Sequence, residues 1–149
     1  MKSPRRAIRT LLAAAVLVTA FAAPAAAVPA DTDPAASGTV RQGIATDYKW
    51  WTWGDLSAGD CHQTGGELRL YSDGKLTFTA KTQTTFTLSG DIWHARFGLK
   101  NTSGQELYRT TTYDSPTMWP SKWYDMNAQG TFEPSVYAAT AQVTQYYSC

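Results

Sequence analysis

The chain has 149 residues, six tryptophans, eight tyrosines, two cysteines and a formal net charge of +1. That length bounds it to one domain with a single core. Four of its basic residues, Lys2, Arg5, Arg6 and Arg9, precede every acidic one, so the chain from Asp31 onward is slightly acidic, at −3. Without a basic run it offers little to nucleic acid or to an anionic membrane surface.

Residues 1–30 read as a secretory signal peptide. A basic head precedes an almost wholly apolar run from Leu11 to Ala23, and small residues close it at Ala25-Ala26-Ala27 or at Val28-Pro29-Ala30. The apolar run is too short for a comfortable membrane span, which needs about 20 residues, so no stable insertion is expected after processing. The expected localisation is extracellular. Residues 31–45 are rich in Ala, Pro, Ser, Thr and Gly and read as a disordered leader. The folded unit is expected to span residues 46–149.

That unit reads as all-β. Lys49 to Cys61 holds three tryptophans within four residues, Trp50, Trp51 and Trp53, then a Gly59-Asp60-Cys61 turn. The alternation predicts a first strand with tryptophan on both faces. Glu67 to Tyr71 alternates next, with Leu68 and Leu70 inward. Asp73-Gly74 is a strong hairpin signal, and Lys75 to Thr82 returns with Leu76, Phe78 and Ala80 inward. Thr84 to Leu88 reads as a short strand with Phe86 and Leu88 on one side. Ile92 to Lys100 is the clearest strand, with Trp93, Ala95, Phe97 and Leu99 on one face.

After a turn at Asn101 to Gly104, Glu106 to Tyr113 returns. Two prolines interrupt Asp114 to Pro120 and exclude a central strand there. Lys122 to Phe132 reads as a strand bent at Gly130. Pro134 is well placed to start one helical turn. Ala141 to Tyr147 forms the last strand before Cys149.

The expectation is a small antiparallel β-barrel or β-sandwich of six to eight strands, the barrel slightly favoured, because short links give antiparallel neighbours and a sheet must cover its core and edges. An exported chain with two cysteines pairs them, so Cys61 and Cys149 are expected to form one disulfide, tying the end of the first strand to the end of the last. A loop of that length predicts about 4 kcal/mol of stabilisation.

The pattern Thr52-Trp53, Leu56, Gly59-Asp60-Cys61, Gly66, Leu68, Leu70, Asp73-Gly74, Phe78, Ala80 and Cys149 resembles an uncharacterised family of small secreted proteins from high-GC Gram-positive bacteria, a domain of unknown function. The resemblance implies export and a β-rich fold. It supplies no catalytic residue.

No recognisable catalytic set stands out. His62 and His94 lack metal-ligand spacing, the serines lack a Gly-x-Ser-x-Gly elbow, and Gly65-Gly66 reads as a turn rather than a phosphate loop. A Ser/His/Asp set is defined by geometry and is not legible from spacing. Neither metal nor cofactor is expected. The aromatic content is the functional signal. Trp119, Trp123 and Tyr124 fall on and beside a Pro-flanked loop, where a scaffold presents side chains to a partner. The expectation is a non-enzymatic secreted binding module for a carbohydrate, a peptide or a small apolar molecule. The alternative is a small extracellular hydrolase or a hydrolase inhibitor.

Overall fold

A computed structural model describes residues 35–36, 43–44 and 48–149. The signal peptide expected at 1–30 and most of the 31–45 leader lie outside the described residues. Among the described residues eleven strands are formed, against the six to eight expected: β1 (Ala35–Ala36), β2 (Gly43–Ile44), β3 (Tyr48–Trp53), β4 (Leu56–Ala58), β5 (Cys61–Tyr71), β6 (Lys75–Thr84), β7 (His94–Lys100), β8 (Glu106–Arg109), β9 (Tyr113–Asp114), β10 (Tyr124–Thr131) and β11 (Gln142–Ser148). The one helical element among the described residues is a 3₁₀ turn at Pro134–Val136, with Pro134 in its first turn.

The strands pair into two antiparallel sheets. One runs β1-β11-β7-β8, with β9 also on β7; the other runs β10-β6-β5-β3-β2, with β4 on β5. Alternation builds the core between them. Along β6, Leu76, Phe78, Ala80, Thr82 and Thr84 are buried while Lys75, Thr79 and Lys81 are exposed. Trp51, Trp53, Leu68 and Leu70 join them from the second sheet, and Trp93, Ala95, Phe97, Leu99 and Val143 come from the first-sheet side. The sheets meet ring to ring, with Phe97 at 4.8 Å from Phe78 and 5.7 Å from Trp53. Such pairs add about 0.5–1.5 kcal/mol beyond the area they bury. The tryptophan run is therefore mainly core, with Trp51 and Trp53 buried and Trp50 half-buried.

The Asp-Gly hairpin forms as expected. Gly74 N–H donates to Tyr71 O at 3.0 Å, Lys75 N–H donates to Asp73 Oδ1 at 3.0 Å, and Gly74 takes φ +87°, a conformation glycine adopts cheaply.

Cys61 and Cys149 form the disulfide, with Cα atoms 6.0 Å apart and a sequence separation of 88. Its placement corrects the expected strand assignment. Cys61 does not end the first strand; it opens β5, after the extra hairpin strand β4. The bridge thus joins an interior strand of one sheet to the residue after β11 in the other.

Two further readings are corrected. Thr84–Leu88 is not a strand: β6 ends at Thr84, whose hydroxyl turns back to Phe86 O and Asp91, and Phe86 and Leu88 face solvent. Gly65-Gly66 is not a turn. It lies inside β5, where the register against β6 shifts between Thr64 and Glu67, with Gly65 at φ +61°. This bulge makes room for a side chain, because a Cβ on Gly66 would collide with the Gln63 amide.

Candidate functional site

Four large hydrophobic residues are exposed among the described residues: Phe86, Leu88, Trp119 and Trp123. All four fall in two segments, 85–93 and 115–123, that connect β6 to β7 and β9 to β10. These segments are joined to each other. Asp91 and Met118 exchange both backbone hydrogen bonds, at 3.1 and 2.7 Å, and a Cβ on Gly90 would touch the Trp119 ring. The exposed apolar surface is thus gathered on a pair of braced loops.

The three aromatic residues singled out in the sequence are placed differently. Trp119 and Trp123 are about half exposed, at 50% and 47%. Tyr124 is half-buried and packs against the core. Its hydroxyl accepts from Trp119 N–H at 3.1 Å, and Lys122 Nζ lies 4.9 Å from its ring centre. Tyr124 thus anchors the loop that carries the two tryptophans.

Trp123 forms part of a cavity of about 290 Å³ with Asp55, Leu56, His62, Gln63 and Thr64. The neighbouring cavity, about 280 Å³, shares Thr64 and adds Thr79, Lys81, Asp125 and Asn127. Both lie on the outward side of the second sheet, where Thr79, Lys81, Asp125 and Asn127 are exposed and their neighbours Ala80 and Met126 are buried. The polar groups are held in place. Thr64 Oγ1 donates to Asp55 Oδ1 at 2.5 Å, His62 Nδ1 shares a hydrogen bond with Ser57 Oγ at 2.9 Å, and Lys81 Nζ pairs with Asp125 at 2.8 Å. The result is a shallow groove with one flat ring beside fixed hydroxyl, carboxylate and imidazole groups.

Asp55, His62 and Thr64 were not linked to Trp123 in the sequence. About 60 residues separate them, and only the β5-β6-β10 order brings them together. A Thr/His/Asp cluster flanking a turn carries no local mark of that neighbour.

A second basin, about 630 Å³, lies beside the disulfide and holds Phe86, Leu88, Asp60 and Asp91. The Asp91 carboxylate lies within 4.8 Å of both sulfurs. The bridge occupies both thiolates, and Asp91 Oδ2 accepts from Thr84 at 2.6 Å, so this trio does not form a metal site in the bridged protein. Among the described residues no helix is long and apolar enough to cross a membrane.

Fold and surface together define a disulfide-linked all-β domain with a braced aromatic loop pair. The chain belongs to a family of unknown function, DUF6294, whose profile matches residues 67–149. The match begins inside β5 and contains Trp119, Trp123, Tyr124 and Cys149, while Cys61, the tryptophan run and the Asp55–Thr64 side of the groove precede it. Comparison with curated proteins and with solved structures returns no match.

Proposed function

We propose that this protein is an exported binding module that holds a neutral carbohydrate chain along the outward side of its second sheet. The observation that carries this reading is the composition of the groove. The half-exposed Trp123 ring borders polar groups that are already fixed by their neighbours. A flat ring suits the apolar face of a sugar, and pre-fixed donors and acceptors suit its hydroxyls. Lys81 and Asp125 neutralise each other, which favours an uncharged ligand over a charged peptide. Trp119 extends the same braced loop and supports a second contact. The signal-like N-terminus and the disulfide support export, since disulfides persist in oxidising compartments. We read the frame as a two-sheet sandwich rather than a barrel, because its ladders divide into two sets linked by side chains and the bridge.

The test is retention on insoluble cellulose, chitin, xylan and cell-wall preparations, followed by calorimetry with soluble oligomers of any that retain the protein. Trp123→Ala should weaken binding about tenfold or more, the behaviour of an aromatic anchor. Phe86→Ala should leave it unchanged. Failure of every polysaccharide, or equal binding by Trp123→Ala, would overturn the reading.

A further inference from the structure

A row of three side chains crosses the first sheet on the face opposite the core. Ser148 in β11 is the register partner of His94 in β7, and His94 is the register partner of Asp114 in β9. Directly opposed residues of antiparallel strands place their side chains on the same face, with Cβ atoms about 4.5–5.5 Å apart. That face points outward, because Trp93 and Ala95, flanking His94, are buried. The His94 and Asp114 side chains are hydrogen-bonded, Nδ1 to Oδ1, at 2.7 Å. With the Nδ1–H donating to the carboxylate, Nε2 keeps the lone pair that a general base needs. Ser148 and His94 line one cavity of about 250 Å³ together with Arg96, Thr112 and Tyr146, and Asp114 stands behind the histidine.

The order is nucleophile, base and orienting carboxylate, the logic of serine hydrolases reached here by strand register. His62 differs, since its Nδ1 meets Ser57 rather than a carboxylate.

We propose that Ser148, His94 and Asp114 form a hydrolytic site for esters of small acyl groups. The Ser148 oxygen attacks the ester carbonyl as its proton passes to His94 Nε2. The carbon–alkoxy bond then breaks, and the leaving alcohol takes that proton. Water attacks the acyl-serine, gives its proton to His94, and the serine oxygen regains it as the carboxylic acid departs. The net change is ester plus water to acid plus alcohol, with no redox step. Asp114 is a positioning residue that holds the imidazole tautomer. Arg96 is among the residues that line the cavity. This site lies on a different sheet from the Trp123 groove, so it stands or falls separately from the binding reading.

The probe is an alkyl fluorophosphonate on the full chain, with peptide mapping, alongside hydrolysis of p-nitrophenyl acetate. The expected result is a phosphonyl adduct on Ser148. His94→Gln should slow its formation about 100-fold or more, the usual scale of a lost general base. Asp114→Asn should slow it less, with Asp114→Glu restoring part of the rate. Ser148→Ala should abolish ester turnover. The wild-type adduct is read without any variant, so misfolding cannot hide the answer. Absence of an adduct on Ser148, equal phosphonylation of His94→Gln, or undiminished turnover by Ser148→Ala would overturn the proposal.

Discussion

Gln63 of β5 and Gln145 of β11 hold each other across the core by two amide hydrogen bonds, at 2.6 and 3.3 Å, with both side chains buried. They lie in opposite sheets, so the pair is a polar rivet between the layers, close in sequence to the disulfide residues at Cys61 and Cys149. A buried amide that loses its partner bears its full desolvation cost, whereas replacing both partners by apolar groups removes that cost. Gln145→Leu alone should destabilise by about 1–3 kcal/mol, and the Gln63→Leu, Gln145→Leu double variant by clearly less than the sum. Urea unfolding of the four members of the cycle measures this. Simple additivity would show that the two amides are not coupled.

A lysine does comparable work at the other end of the chain's path. Lys49 Nζ donates to three carbonyls, Tyr137 at 2.8 Å, Thr140 at 2.9 Å and Ala138 at 3.2 Å, and sits 4.9 Å from the centre of the Tyr137 ring. These carbonyls end the 3₁₀ turn that leads into β11, so the ammonium ties β3 in one sheet to the approach of the last strand in the other. Burial lowers its pKa from the ordinary lysine value. Lys49→Met keeps most of the stem but leaves the carbonyls without this donor. The expected loss is about 1–3 kcal/mol, with faster amide exchange at 137–141. An unchanged melting temperature would remove Lys49 from the frame.

Tyr113 gives an alkaline signature. Its phenol rests against the backbone of Gly130, where a Cβ would collide with the ring, and the ring lies 6.3 Å from Phe97. Burial raises its pKa above the ordinary tyrosine value. The folded state therefore keeps the proton after the unfolded chain has released it. The contribution is fully present below the unfolded pKa, about 10, and is lost as pH rises through the higher folded value. Stability measured from pH 9 to 11.5 should fall, and Tyr113→Phe should flatten part of that fall. A Tyr113→Phe curve parallel to the parent would contradict the assignment.

Much of the frame was legible because it is local. Period-two burial in β6 and β7 and the Asp73-Gly74 hairpin follow from neighbours within a few residues. The cysteine pair was legible from number and context. What escaped was non-local or masked by composition. Gly65-Gly66 has the letters of a turn, yet β5 runs through it as a bulge because β3 and β6 flank the strand on either side. Phe86 and Leu88 alternate like a strand but have no strand partner, since the chain turns at Thr84 toward Asp91. The second wall of the Trp123 groove, and the Ser148, His94 and Asp114 row, exist only after the sheets assemble.

The central claim is that a sugar chain lies against Trp123. Its most direct measurement is an amide and indole correlation spectrum titrated with the oligosaccharide that the retention screen selects. The account predicts saturable shifts of the Trp123 indole N–H together with backbone amides of Thr64 and Asn127, while the buried indoles of Trp51 and Trp93 stay still. No shift at Trp123 with a ligand that binds, or shifts confined to the 85–91 loop, would contradict it.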